Sequence, residues 1–279
     1  ALAHTATAGE VFVSPAEARQ LIDAGATVID ARGDAEYRTG HIPGSVPLSW
    51  LELRDGWARV GRLTDDMGRL QEALQAAGVD DDRPVLVYDA GIDGWGEAGR
   101  IWWTLEYLGH DPNRILDGGL PAWIDAGGEL TTKPPPARRG DFIPHPDETL
   151  RARLSEVERD LAQCGTGTCD VVFWDTREPR EYAGATPYGE PRGGHLPGAV
   201  GLYFKDLLDA RGRLRPEPEL RATLQGAGIT PDKRIVPYCT GGVRSGFAVA
   251  VLTELGYPRV ANYDGSMWEW TADDSRPVE

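Results

Sequence analysis

The residues with the clearest potential for chemistry follow a short apolar run at residues 234–237 and precede a helical pattern at residues 246–255. They are, in order, Tyr238, Cys239, Thr240, Gly241, Gly242, Val243, Arg244 and Ser245. A cysteine between a strand end and a helix start lies where backbone N–H groups converge and the helix dipole is positive, and both features favour the thiolate. The glycine pair allows a tight turn and Arg244 adds a positive charge. This loop therefore predicts an anion-binding site with a nucleophilic sulfur at its base.

Two other interpretations of this loop are open. A buried cysteine is often an inert, small apolar residue, although packing requires neither the glycine pair nor the arginine that follow it here. Cysteine phosphatases also bind an anion between a cysteine and an arginine, with one residue more than the four that separate Cys239 from Arg244. The shorter loop suits a single sulfur atom better than a phosphate group, so it favours sulfur chemistry.

Three further motifs accompany the loop. Residues 175–179 read Asp-Thr-Arg-Glu-Pro, residues 194–199 read Gly-His-Leu-Pro-Gly-Ala, and residues 263–270 read Tyr-Asp-Gly-Ser-Met-Trp-Glu-Trp. In content and order these segments resemble the motifs of the rhodanese-type sulfurtransferases. The resemblance implies that Cys239 is the catalytic nucleophile and that residues 240–245 bind the substrate.

The first half of the chain repeats the second. Asp30-Ala31-Arg32 corresponds to Asp175-Thr176-Arg177, the Gly-His-Ile-Pro-Gly run at residues 40–44 to residues 194–198, and Asp89 to Cys239. This repeat is far longer than those of solenoid proteins, so it indicates two copies of a domain. We predict two tandem rhodanese-like domains, at residues 1–130 and 150–279, joined by a Pro-rich linker at residues 131–149.

Strand and helix patterns alternate in each half. The first half predicts strands at residues 11–13, 27–30, 84–88 and 114–116, and helices at residues 64–77, 99–108 and 120–126. A further helix begins after Ser14, which has the capping pattern Ser-Pro-Ala-Glu. The alternation indicates an α/β fold in which each domain is an open, mostly parallel sheet with helices on both faces. Such sheets bind ligands at the carboxyl ends of strands, but Pro237 within a central strand predicts a local irregularity there.

The first half is predicted to be catalytically silent, because Asp89 stands where Cys239 does and a carboxylate cannot attack a sulfur donor. We expect this half to form one wall of the donor pocket, with Arg32 and Trp95 as candidate wall residues. Arg32 and Arg177 are both candidates for substrate binding, but each follows an aspartate and a structural ion pair is equally compatible with the sequence.

The histidines and tryptophans of the other motifs favour structural roles. His41 and His195 lie in equivalent Gly-His-X-Pro-Gly turns, and a catalytic histidine would not be needed in the half without the nucleophile. Trp123, Trp268 and Trp270 are expected in the core and at the domain interface.

Composition limits the possible partners and the location. The formal charge is −15, which argues against nucleic acid as a partner. No apolar run approaches the length needed to span a membrane, and we expect a cytoplasmic protein with residues 1–9 as a flexible tail. Cys164 and Cys169 lie in one loop, where two separate thiols are favoured over a disulfide, and two such ligands make a poor zinc site. We expect neither a metal nor an organic cofactor.

The resemblance implies a double-displacement reaction. The Cys239 thiolate attacks the outer sulfur of a small anionic donor, thiosulfate or 3-mercaptopyruvate, and the persulfide is then discharged to cyanide or a thiol, for which a thioredoxin-like protein is one candidate. The neutral residues 240–243 favour 3-mercaptopyruvate. Arg244 stands where the family has Thr, and Glu181 stands where the two-domain enzymes have Arg. A persulfide carrier without turnover and a cysteine phosphatase are the alternatives.

Overall fold

The structure is a computed structural model that describes residues 10–56, 60–165 and 169–279. The tail predicted at residues 1–9 lies outside the described residues. The strands of the first half are β1 (Phe12–Val13), β2 (Thr27–Asp30), β3 (Val46–Pro47), β4 (Val85–Tyr88) and β5 (Asn113–Leu116). Its helices are α1 (Pro15–Asp23), α2 (Asp34–Thr39), α3 (Trp50–Leu53), α4 (Met67–Ala76), α5 (Glu97–Tyr107) and α6 (Gly119–Asp125). The strands form a parallel sheet in the order β1-β5-β4-β2-β3.

The second half has the same plan with a smaller sheet. Its strands β6 (Val171–Asp175), β7 (Val200–Gly201) and β8 (Arg234–Tyr238) pair in parallel in the order β7-β6-β8. Its helices are α7 (Leu154–Cys164), α8 (Pro179–Tyr182), α9 (Glu217–Gly226), α10 (Val243–Glu254) and α11 (Ser266–Trp270). The strands and helices predicted in the first half are confirmed to within a few residues, and so is the capping box of Ser14 and Glu17.

The irregularity expected at Pro237 lies on the side of β8 opposite to β6. Residues 259–263 run parallel to β8 there: the N–H of Ile235 donates to the Arg259 carbonyl, and the N–H of Tyr263 donates to the Pro237 carbonyl. In a regular parallel pair, the N–H of residue 237 would donate a hydrogen bond between these two. Proline has no N–H, so this hydrogen bond cannot form. Only the Ile235–Val260 pair forms a bridge on this side, whereas the equivalent segment of the first half is the regular strand β5.

Both faces of the first sheet are buried, which confirms the layered α/β fold. Val85 and Val87 of β4 join one apolar cluster with Ile101 of α5, while Leu86 joins a second with Ala18 of α1. Alternate residues of a strand point to opposite faces, so helices cover the sheet on both sides.

The two halves share a core, because α5 packs against α10. Gly99 of α5 lies so close to Phe247 that a Cβ on it would be 2.3 Å from the Phe247 Cα. Apolar residues of both helices belong to a single cluster that also contains Ile235 of β8. The amino ends of these helices therefore meet at the carboxyl ends of β4 and β8.

The linker runs along the first half without regular strands. The N–H groups of Gly140 and Phe142 donate to the carbonyls of Gln75 and Val79, and the Phe142 ring is buried. Those of His145 and Asp147 donate to residues at the end of α5. A short 3-10 turn at Glu148–Leu150 ends the segment.

Cys164 and Cys169 form a disulfide, so the favoured prediction of two separate thiols is wrong. The physical reason is proximity: Cys164 ends α7 and Cys169 precedes β6, and the short connection holds their Cα atoms 4.3 Å apart. Among the described residues, no helix is both long and apolar enough to cross a membrane.

Candidate active site

The loop after β8 folds around the sulfur of Cys239. Gly242 adopts φ +79°, a left-handed conformation that glycine accepts readily, and its N–H donates to the Cys239 Sγ at 3.1 Å. The Ser245 hydroxyl lies 3.9 Å from the same sulfur. Since α10 begins at Val243, the positive end of its dipole also faces the sulfur.

These contacts shift the thiol toward its ionised form. Burial of Cys239 raises its pKa, but the charge of Arg244 and hydrogen bonds from the backbone of Ser245 and Gly241 outweigh that effect, so its pKa lies below the ordinary value. Cys239 is also the only free cysteine among the described residues. The geometry is that of a nucleophilic thiolate.

The start of α11 anchors the base of the loop. The N–H of Cys239 donates to the Ser266 Oγ at 3.0 Å, and that hydroxyl donates to the Tyr263 carbonyl at 2.8 Å. The N–H groups of Met267 and Trp268 donate to the carbonyls of Cys239 and Thr240. Ser266 has φ +54°, an uncommon conformation for a residue with a side chain. The downstream motif at residues 263–270 therefore holds the loop from below.

The charge of Arg244 is already paired within the protein. Its guanidinium donates to both carboxylate oxygens of Glu181 at 2.6 and 2.9 Å and to the Thr240 Oγ1 at 2.7 Å. The Thr240 hydroxyl in turn lies 2.9 and 3.0 Å from the carboxylates of Glu181 and Glu190. The two departures that the sequence shows at positions 181 and 244 are thus the partners of one buried ion pair.

The first half holds the loop from the opposite side. Arg100 of α5 is fully buried and donates to the carbonyls of Gly242 at 3.0 Å and Gly61 at 2.7 Å. A Cβ on Gly61 would lie 2.1 Å from the Gly241 carbonyl oxygen, so the two backbones pass in direct contact. Arg100 therefore fixes the peptide that follows the N–H aimed at Cys239.

A pocket of about 310 Å³ opens in front of the sulfur. The described residues that line it are Trp50, Trp95, Glu97, Tyr188, Cys239, Thr240, Gly241, Val243, Arg244 and Trp268. Three of them belong to the first half, so the prediction that this half walls the pocket is confirmed, and so is the position of Trp95. The lining is dominated by aromatic rings, and the Arg244 guanidinium lies 5.3 and 5.5 Å from the ring centroids of Trp95 and Tyr188.

Gly242 and Ser245 shape the loop behind the sulfur and do not line the pocket. Arg32 and Arg177 do not line it either, so their predicted contact with the substrate is not what the structure shows. Each guanidinium is bound to the aspartate two residues before it, with closest distances of 2.6 Å to Asp30 and Asp175. Each also donates to a carbonyl that precedes the histidine turn of its half. The physical reason is that each aspartate lies buried at the end of a strand, where its charge would be costly without a cation. The arginine two residues later neutralises that charge and is therefore not available to the pocket.

Both histidine turns are structural. His41 stacks on Tyr37 and lies 2.9 Å from its carbonyl, and His195 stacks on Tyr182 and lies 3.0 Å from its carbonyl. Trp123 and Trp270 are buried in the two halves, whereas Trp268 lines the pocket and donates to the Tyr188 carbonyl.

The equivalent loop of the first half is closed around a carboxylate. Asp89 accepts hydrogen bonds from the N–H groups of Gly91 at 2.9 Å and Ala98 at 3.0 Å. Burial raises the pKa of Asp89. The amides of this loop thus bind the Asp89 side chain, whereas in the second half the Gly242 N–H faces the Cys239 sulfur.

Sequence reasoning missed four residues of the pocket: Trp50, Glu97 and Tyr188 were not singled out, and Trp268 was expected in the core or at the domain interface. Trp50 begins α3, far from the loop in the chain, and no local signal marks it. Glu97 follows a glycine-rich segment, and Tyr188 lies between motifs. They come from separate parts of the chain and meet only where the two halves pack against each other.

Comparison with known proteins agrees with this architecture. The Rhodanese-like domain family matches residues 14–126 and again residues 158–273. A thiosulfate sulfurtransferase of Pseudomonas aeruginosa is 35% identical over 90% of this chain and 90% of its own length. A probable 3-mercaptopyruvate sulfurtransferase of the same organism is 35% identical over 88% of this chain and 86% of its own. The sulfur carrier protein TtuD of Thermus thermophilus is 35% identical over 84% and 83%, respectively.

Proposed function

This chain belongs to the rhodanese-like family and is a sulfurtransferase, and from that premise we propose that its sulfur passes through a persulfide on Cys239. The supporting observation is the thiol itself: it is buried at the base of a pocket, its pKa is lowered, and the N–H of Gly242 points at its sulfur. The thiolate attacks the outer sulfur of thiosulfate or the sulfur of 3-mercaptopyruvate, and sulfite or pyruvate leaves. The persulfide is then transferred to a thiophilic acceptor.

The charge balance of the pocket supports 3-mercaptopyruvate as the preferred donor. Among the described lining residues Arg244 is the one cation, and Glu181 neutralises most of its charge. A dianion such as thiosulfate gains less from such a site than a monoanion with an apolar carbon backbone, because the aromatic walls offer contact area but little positive potential.

The acceptor must approach through the same pocket, since the sulfur is reached from there. Cyanide and small thiols fit a volume of about 310 Å³. A thiol on an exposed loop of a thioredoxin-like protein is a further candidate acceptor, and the negative net charge of this chain would favour a partner with a basic surface.

A second candidate function is a carrier that loads sulfur without turnover, because one relative is named a sulfur carrier protein. A cysteine phosphatase is less well supported. The Gly242 N–H is already directed at the sulfur, and Arg244, the one cation among the described residues of the pocket lining, is paired with Glu181. That arrangement leaves little positive charge for a phosphate dianion.

The test is a side-by-side assay of thiocyanate formation from cyanide with thiosulfate and with 3-mercaptopyruvate. Mass spectrometry of the protein after each donor alone reports the gain of one sulfur atom on Cys239, and an aryl phosphate serves as the phosphatase substrate. Turnover with 3-mercaptopyruvate faster than with thiosulfate is expected. Loading without turnover would indicate the carrier, and no loading with either donor would contradict the proposal.

A further inference from the structure

Among the described residues that line the pocket there is one carboxylate, that of Glu97. Glu97 is the first residue of α5, and its Oε2 accepts a hydrogen bond from the Trp95 N–H at 2.8 Å. The same oxygen lies against Gly94, where an added Cβ would be 2.8 Å away. The short turn between Gly94 and Glu97 thus holds the carboxylate at the pocket wall. This half lacks the nucleophile, yet it places a carboxyl group in the lining of the pocket that contains Cys239.

We propose that Glu97 is the proton donor and proton acceptor of this active site. As a carboxylic acid it protonates the carbon of 3-mercaptopyruvate from which the sulfur has been removed. As a carboxylate it takes the proton of a thiol acceptor. The inference rests on the proposed persulfide chemistry of Cys239 and adds to it the path of the proton.

The other ionisable groups of the pocket wall cannot carry this proton. The pKa of Arg244 is raised far above neutrality: burial lowers it, but the hydrogen bonds to Glu181 outweigh burial. The hydroxyl of Tyr188 donates to the Glu178 carboxylate at 3.1 Å, and burial together with that carboxylate raises its pKa. Cys239 is itself the nucleophile. Glu97 is therefore the lining residue that can both give and take a proton near neutral pH.

The surroundings of Glu97 are consistent with that role. Burial raises its pKa to about 7, the charge of Asp89 raises it as well, and Lys205 acts in the opposite direction. Lys205 is held by the Ile92 carbonyl at 2.6 Å and lies 5.5 Å from the Trp95 ring centroid. The charged groups around this corner come from the end of β4, the 3-10 turn at Gly91–Asp93, the residue before α8, the turn at Phe204–Leu207 and the start of α10: Asp89, Asp93, Glu178, Lys205 and Arg244. A group present in both forms at neutral pH suits alternate donation and acceptance.

The proton balances over one cycle. In the first half-reaction the Cys239 thiolate forms a bond to the sulfur of 3-mercaptopyruvate and the carbon–sulfur bond breaks. Cysteine sulfur is oxidised to a protonated persulfide, the electron pair passes to carbon as the enolate of pyruvate, and Glu97 gives that carbon its proton. In the second half-reaction the Glu97 carboxylate removes the proton of a thiol. The resulting thiolate takes the outer, protonated sulfur, and both the Cys239 thiolate and the Glu97 acid are restored.

Thiosulfate provides an internal comparison, because sulfite leaves with its electron pair and needs no proton. The test variant is Glu97→Gln, which keeps an oxygen that can accept from the Trp95 N–H. The matched control is Asp93→Asn, which removes an exposed carboxylate from the same segment outside the pocket lining. Rapid mixing measures pyruvate release from 3-mercaptopyruvate and sulfite release from thiosulfate in a single turnover, between about pH 5.5 and about pH 9.

In the wild type and in Asp93→Asn, we expect pyruvate release to fall as the pH rises through the pKa of Glu97. In Glu97→Gln, pyruvate release should be about 100-fold slower and should lose that dependence, while sulfite release stays within about twofold of the wild type. Equal slowing with both donors would show that Glu97 only shapes the pocket, and an unchanged pH profile would show that another group moves the proton. Either result overturns the inference.

Failure of the proposed function has a different signature, since the wild type would then form no persulfide with either donor. If the wild type uses thiosulfate alone, the persulfide loaded from thiosulfate is discharged with 2-mercaptoethanol. Glu97→Gln should slow that discharge, and discharge at the wild-type rate would again overturn the inference.

Discussion

The buried pair of Arg244 and Glu181 offers a sharp test of how the loop is built. The guanidinium donates to both carboxylate oxygens at 2.6 and 2.9 Å. With a charge separation of about 4 Å and an effective dielectric constant of about 20, the attraction is about 4 kcal/mol. Removal of one partner costs about 3–5 kcal/mol, because the other charge stays buried without compensation. We expect Arg244→Met to lower the free energy of unfolding by that amount, so its effect on folding is larger than the loop sequence alone suggests.

The double variant Arg244→Met, Glu181→Gln should regain most of this loss, since neutral replacement of both partners is often nearly without cost. Reactivity of the thiol then separates stability from chemistry. Burial raises the pKa of Cys239 and the charge of Arg244 is the strongest factor that lowers it. Both variants should therefore have a higher thiol pKa and react more slowly with iodoacetamide near neutral pH.

The pH dependence of stability tests the same ion pair independently, because it should differ in direction between the wild type and Arg244→Met. In the wild type burial raises the pKa of Glu181, but its hydrogen bonds with Arg244 outweigh that effect and hold it below 4.5. Its stabilising contribution is thus present above that value and is lost only as the pH falls below it. In Arg244→Met only the hydrogen bonds from Thr240 and from the Glu178 N–H still oppose burial. We therefore expect the pKa of Glu181 to rise, so that stability is lost as the pH rises. When the pH is lowered from about 7 to about 5, Arg244→Met should therefore gain stability. In the wild type, Glu181 should change the stability little over the same range.

Urea unfolding and pH-dependent alkylation of the wild type, the single variant and the double variant supply these measurements. A double variant as unstable as Arg244→Met would show that the ion pair is not what the loop requires. A wild-type alkylation profile in either variant would show that Arg244 does not set the thiol pKa.

Three further outcomes follow from the same geometry. Cys239→Ser should abolish sulfur loading, because a hydroxyl is a poor nucleophile toward sulfur; mass spectrometry checks this, and residual turnover above a few per cent would contradict it. Asp89→Cys in the Cys239→Ser background should not load, because the first-half loop lacks the Gly-Gly-Val-Arg run; stoichiometric loading would show that loop to be competent. Arg100→Met should slow loading roughly tenfold or more, since the Gly242 carbonyl loses a charged hydrogen bond; a wild-type loading rate would remove the first half from the support of the loop.

Much of the fold was predictable because the signals are local. The strands and helices of the first half follow from apolar periodicity and from caps such as Ser14 and Glu17. The duplication then placed Asp89 and Cys239 at equivalent strand ends, and the structure has β4 end at Tyr88 and β8 at Tyr238. The nucleophile and its loop could likewise be found from the sequence, because all of their parts lie within a few consecutive residues.

The remainder of the site depends on contacts between distant parts of the chain. The sequence showed an arginine at position 244 and a glutamate at position 181, but not that the two side chains neutralise each other. The same ambiguity affected Arg177, for which a structural pair and a substrate contact were equally compatible with the motif. Charge alone does not say which partner a guanidinium will meet, since that depends on the burial of the nearest carboxylate.

The two copies of the domain have divided one task. Both retain the aspartate–arginine pair at the end of a buried strand, although only one retains the nucleophile. In each half the arginine also donates to the carbonyl of the glycine before the histidine, which gives the pair the same structural contacts in both copies. The first half supports the second. Arg100 donates a hydrogen bond to the Gly242 carbonyl and Gly61 contacts Gly241, while Trp95 and Glu97 line the pocket. A single domain would expose the Cys239 loop on the side that α5 now covers. The duplication therefore supplies a wall, a support for the loop and the one carboxyl group among the described residues that line the pocket.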